Sequence, residues 1–135
     1  MSIERAIHER FRSCQPLVER VPTERFSTGW LAPTAAGTTP GDLPYVILER
    51  GPQRSAERMS GGRTLITVPI RFYIQAGSLA GAWEIAAEIH QRFERQAFSA
   101  GEIRVQDMKR QSLQQSPRAT GGWQIVLEYL TRAEE

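Results

Sequence analysis

The stretch from Arg63 to Ala76, RTLITVPIRFYIQA, restricts the fold more than any other part of the chain. Read by twos, Ile66, Val68, Ile70, Phe72 and Ile74 fall on one side and Thr67, Pro69, Arg71, Tyr73 and Gln75 on the other. That alternation marks a β-strand with one buried face. Pro69 has no N–H to give to a ladder, so its place in the strand predicts an edge or a bulge.

The rest of the pattern supplies what such a strand needs. Ile3, Ile7, Phe11 and Cys14 recur at helical spacing behind the capping residue Ser2, which predicts an amphipathic helix over 3–14, with Pro16 ending it or opening a new turn. The segment 21–44 is dense in glycine and proline and reads as a long loop, with a short strand at RFSTGWL. A loop of that length is functional or mobile more often than it is a plain connector. PYVILER is apolar on both faces and predicts a central strand, joined to the proline-bearing strand through the polar, glycine-flanked GPQRSAERMSGG. After QAGS the period changes: Leu79, Ala82, Ala86, Ile89 and Phe93, with Trp83 and Ile85 widening the stripe, predict the main helix from Ser78 to about Arg95. EIRVQDMKRQSL and GGWQIVLEYLT alternate again, and QQSPRATGG between them reads as a second hairpin loop. The expected fold is α+β, a mostly antiparallel four-stranded sheet built from two hairpins, packed by the central helix and the N-terminal helix. At 135 residues this is a single domain, 1–135.

Composition narrows the function classes. No window approaches the roughly 18 to 20 apolar residues of a membrane helix, and MSIERAIHERF carries charges where a secretory signal needs an apolar run. Cys14 is the single cysteine, so no internal disulfide or thiolate zinc site can form, and a reducing compartment is expected. The net charge is only +2, and Lys109 is the only lysine, so the basic character is carried by arginine. Arginine suits fixed contacts at interfaces and on phosphate, although a GC-rich coding sequence favours it equally.

A search for chemistry yields no catalytic, cofactor-binding or metal-ligating residue. His8 and His90 each sit alone in a helix, Cys14 closes a helical stripe with nothing to lower its pKa, and Glu84 and Glu88 lie on an ordinary exposed helix face. The pairs Gly61–Gly62 and Gly121–Gly122 precede strands rather than helices, so they read as turn glycines and not as phosphate loops. Two basic regions remain: Arg50, Arg54, Arg58 and Arg63 in the first hairpin loop, and Arg104, Lys109, Arg110 and Arg118 around the second. On one copy these form a solvated face; repeated around a ring, their fields would add.

In succession, SIERAIHERF, LPYVILERG, RTLITVPIRFYIQAGSLAGAWEIAAEIHQRF and GGWQIVLEYLTR resemble the small tail-terminator, or tail-completion, proteins of long-tailed phages and prophages. The resemblance covers most of the chain and departs from the pattern at 21–44. It implies a homo-oligomeric ring, typically a hexamer, that caps the tail tube and presents a surface to the head-tail connector protein. The corresponding location is the head-proximal end of the virion tail, with host cytoplasm as the place of assembly. No enzyme activity, cofactor or membrane is implied, and DNA in the channel would be contacted without sequence preference. On this reading Pro69, Arg71 and Tyr73 are candidates for a subunit interface, the other reading being a core strand bulged at Pro69. Arg54, Arg58, Arg63 and Arg118 are candidates for a channel-lining or partner-facing loop. A head-tail connector (neck) protein and a small nucleic-acid-binding module are the competing readings. Against the second, Trp123 and Tyr129 share a face with Ile125 and Leu127 and so read as core, not as a stacking platform.

Overall fold

The computed structural model describes residues 2–29 and 43–135. Helix α1 (Ile3–Ser13) starts where Ser2 accepts the backbone N–H of Arg5, and it buries Ile3, Ala6, Ile7 and Phe11. Pro16 opens a second helix, α2 (Gln15–Arg20), in whose first turn a missing N–H costs nothing. A 3-10 turn, Thr23–Arg25, leads into strand β1 (Phe26–Thr28). Residues 30–42, the centre of the expected long loop, lie outside the described residues.

There follow β2 (Tyr45–Arg50), β3 (Ser55–Arg58), β4 (Thr64–Ala76), helix α3 (Leu79–Phe93), β5 (Phe98–Ala100), β6 (Ile103–Pro117) and β7 (Trp123–Glu134). The sheet is therefore seven-stranded, in the order β1-β2-β4-β7-β6-β5 with β3 beside β4, and not four-stranded as the periodicity predicts. It curls as a half-barrel, and β1 runs parallel to β2, which makes it mixed. One of the three additional strands, β1, is the short strand expected within RFSTGWL, and it joins the sheet beside β2. The other two escape the periodicity for physical reasons: β5 is three residues long, too short to show a period, and β3 exposes all four of its side chains.

β4 and β7 form the centre of the sheet and pair without interruption from Leu65↔Glu134 to Ala76↔Trp123. On its other side β4 meets β2 over Tyr45–Arg50 and β3 over Ser55–Arg58. Between these, Gly51 donates to the carbonyl of Pro69 at 2.8 Å and Arg54 to that of Thr67 at 2.8 Å. Four residues, 51–54, face only Val68 and Pro69, so the neighbour of β4 bulges outward where proline has no N–H to offer. Pro69 is in an inner strand opposite a bulge, and the strand on the far side of the bulge is β3.

The apolar face of β4 is buried as its alternation requires: Ile66 is 2% exposed, and Val68, Ile70, Phe72 and Ile74 are fully buried. Helix α3 covers β4 and β7, and α1 packs against β5 and β6. An aromatic chain runs through the core, with ring centroids 4.1 Å apart for Phe11 and Phe26, 5.3 Å for Phe72 and Phe93, and 5.8 Å for the edge-on pair Phe72 and Tyr129. Trp83 is the exception to the expected helical stripe. It is 40% exposed because it stands about 100° round the helix from Ala82, whereas Ile85 falls on the buried side. Its indole N–H donates to the side-chain carbonyl of Gln115 at 3.1 Å.

Candidate assembly surfaces

The residues singled out on the polar side of β4 occupy three different situations. Pro69 is buried within the chain, and a Cβ on Gly51 would stand 2.6 Å from its Cγ. Arg71 is half-exposed and lies between two carboxylates, donating through Nε to Glu128 at 2.7 Å and through Nη1 to Glu49 at 3.1 Å. The Tyr73 hydroxyl donates to the same Glu49 oxygen at 3.1 Å.

These partners are set by register: Glu49 and Glu128 are the cross-strand neighbours of Arg71 on β2 and β7. Hydrogen bonds to Glu128 and then Glu49 hold the guanidinium still more firmly protonated than usual. Burial, followed by the Glu49 hydrogen bond, raises the Tyr73 phenol. The sequence offers Arg71 and Tyr73 but not the glutamates, which become partners only once the register is known.

The candidate loop arginines divide into two groups. Arg54, Arg58 and Arg63 are exposed together on the β3 arm, which turns back into β4 through Ser60, Gly61 and Gly62, both glycines at positive φ. Arg118 lies in the β6–β7 turn, where its guanidinium donates to the carbonyl of Gly121 at 2.9 Å. That turn adjoins the Ala76 end of β4, and the β3 turn adjoins the Thr64 end. The thirteen residues of β4 separate them by about 40 Å at 3.3 Å per residue. The structure does not bring Arg118 to the other three. Arg104, Lys109 and Arg110 lie in β6 itself rather than in a loop, and Asp107 bonds Arg95 at 3.0 Å.

β6 carries the largest difference from the sequence reading. Gln114–Pro117, expected in the second loop, continue the strand. Register shifts between Val105 and Asp107 and between Arg110 and Ser112 each reverse its facing, so that Ile103 and Val105, then Met108, then Leu113 turn to the core side. β5 pairs only with Ile103–Val105. Beyond that point, among the described residues, no strand lies on the outer side of β6, and from Lys109 to Pro117 all of it but Leu113 is exposed.

The two histidines, Glu84 and Cys14 have structural surroundings. His8 stacks on Phe26 at 4.1 Å and shares a hydrogen bond with Thr28, and burial, then Arg12, lowers its pKa. His90 Nδ1 lies 3.1 Å from the Tyr129 hydroxyl, whose pKa burial raises strongly. Glu84 pairs with Arg20 at 2.6 Å, and Cys14 is buried. Among the described residues no group of three or more His, Cys, Asp or Glu could hold a metal ion, and no helix is long and apolar enough to cross a membrane.

No protein-family model and no curated protein matches this sequence. A solved structure does match in fold: a chain in the virion of a native gene transfer agent (GTA) particle superposes with a TM-score of 0.67. The two chains are 16% identical, and the match covers 99% of this chain and 96% of that one, so the whole α+β architecture is shared with a virion protein.

Proposed function

We propose that this chain is a structural protein of a phage or phage-like tail, forming a ring that caps the tail tube and joins it to the head side, with no enzymatic activity. The observation that carries the reading is the match over 99% of the chain to a chain of a gene transfer agent virion. The order of sequence elements, which resembles the tail terminators, supports that position in the particle. In the ring, the β3 arm with Arg54, Arg58 and Arg63 and the outer face around Arg71 and Tyr73 meet neighbouring copies, the tail tube protein or the head-tail connector protein. Arg118, at the other end of the sheet, faces a different neighbour or the DNA channel. These roles need charge and shape complementarity rather than a catalytic group.

The test is removal of the gene from a particle-producing host, followed by electron microscopy. Tails of uncontrolled length without heads, rescued by a gold-labelled copy that sits at the head-proximal end, are expected. Label on filled heads that lack tails would assign the chain to the neck instead. Particles of normal form in its absence would remove it from the assembly.

A further inference from the structure

We propose that copies of this chain join edge to edge, the open edge of β6 over Gln111–Pro117 adding antiparallel to the β3 strand of the next copy; this rests on the ring reading above. The two edges lie on opposite sides of one sheet, and among the described residues no strand pairs with β3 but β4, or with Gln111–Pro117 but β7. Neither is supported by burial: β3 exposes all four side chains, and the outer half of β6 exposes all but Leu113. A strand buried on neither face adds little to its own fold, and unpaired edge groups are templates for another strand.

The backbone fixes where pairing can occur. Main-chain groups in an antiparallel strand point alternately to either side, and Pro69 and Thr67 of β4 point toward β2 and β3. Following the register through β7, Ser112, Gln114 and Ser116 of β6 point toward β7, and Leu113 and Gln115 point outward. Closer to β5 the edge is closed, since Met108 accepts from the Arg95 N–H at 2.7 Å and the Arg110 N–H donates to the Glu94 carboxylate at 2.7 Å. Pro117 has no N–H at the other end. On β3, Met59 and Glu57 point toward β4, so Ala56 and Arg58 point outward.

Each edge thus offers two outward residues, two apart, and one register satisfies both pairs: Leu113 with Arg58, Gln115 with Ala56, and Gln114 with Glu57 between them. β6 is parallel to β4 and β3 antiparallel to it, so repeating the sheet in one direction gives the antiparallel joint and keeps the helices on one side. No like charges meet, because Gln111–Ser116 is uncharged. Leu113, Gln115, Ala56 and Arg58 all lie on the helix side of the sheet, since they stand opposite Leu127, Ile125, Ile66 and Thr64. Arg58 of the partner subunit then reaches Trp83, the only exposed large hydrophobic residue among those described. The joint is head-to-tail, which closes a ring or extends a filament.

The test is a disulfide between exposed positions, Glu57→Cys with Gln114→Cys, in the full chain under mild oxidation where the parent is oligomeric. A covalent ladder on a non-reducing gel is expected from the double variant and none from either single one. No ladder from a double variant that still assembles would overturn the joint and leave the ring intact. Equal dimer from Gln114→Cys alone would overturn it in favour of β6 pairing with itself. A chain that never oligomerises, free or on tail tubes, would remove the ring and the joint together. In a second arm Gln115→Pro, which removes an outward N–H, should weaken association at least about tenfold with the melting temperature retained, and Gln115→Ala should assemble as the parent does. Equal assembly by both would overturn the joint.

Discussion

Replacing Phe93 with alanine tests the packing that holds the sheet and the main helix together. Phe93 is fully buried at the last turn of α3, 5.3 Å from Phe72 and 5.8 Å from Phe98 between ring centroids. The guanidinium of Arg10 also lies 6.0 Å from its ring. The substitution removes the apolar contacts and leaves a cavity bordered by strand and helix backbones that cannot collapse far, for a cost of about 3 to 5 kcal/mol. A domain of this size has about 5 to 15 kcal/mol in all, and each kcal/mol shifts its midpoint by about 3 to 5 °C. The melting temperature should therefore fall by about 10 to 25 °C in a circular dichroism scan. Phe93→Leu, which refills part of the space, should recover at least half of the loss. A Phe93→Ala midpoint within about 2 °C of the parent's would refute the packing of α3 on β4 and β7.

Gly51→Ala should cost about 1 to 3 kcal/mol by overpacking against Pro69, seen as a lower denaturation midpoint, whereas Gly77→Ala, whose added methyl would meet no atom within 4 Å, should not. The His8 imidazole is held below its ordinary 6.5 by burial and Arg12, against a smaller opposing effect of Glu4. The unfolded chain therefore binds that proton more readily, so stability should decline as pH falls through 6.5 toward the lowered folded value. In His8→Gln that part of the pH dependence of the melting temperature should vanish. Reversing Arg54, Arg58 and Arg63 to glutamate should leave melting within about 1 kcal/mol of the parent and abolish tube capping. Normal capping with failed DNA retention would move these arginines to the channel, and wild-type particles would return them to solvent.

Legibility in the sequence follows burial. Elements with one apolar face are readable: β4 from Ile66 to Ile74, α1 from Ile3 to Phe11, and α3 from Ala82 to Phe93 fall where the period puts them. β3 is not, because Ser55–Arg58 has no buried face and is a strand only through its pairing with β4. Bulges hide β6 in another way. Each register shift reverses which residues face inward, so the alternation of Ile103 and Val105 stops before Met108 although the strand continues to Pro117. The Arg71 surface is half legible, since the polar side of β4 names the arginine while its glutamates come from two strands whose registers sequence does not give.

Pro69 connects these observations. A continuous partner for β4 would need a donor from position 69 toward β2, and its absence lets the chain leave the sheet at Gly51 and return at Arg54. On the β7 side the pairing is unaffected, since the register runs through Pro69↔Leu130 without a shift. One residue therefore separates two kinds of neighbour along a single strand. The inner face of β4 lies over the core throughout, from Ile66 to Ile74, but one half pairs with the largely buried β2 and the other with β3, whose four side chains are all exposed. The arm is paired to β4, which is itself paired to β7 along its length, so its arginines are presented on a hydrogen-bonded edge rather than on a free loop. A basic edge held that way loses less conformational entropy on meeting a neighbour than a flexible loop of the same composition, and that is the advantage a subunit built for assembly would gain from a proline in the middle of a central core strand.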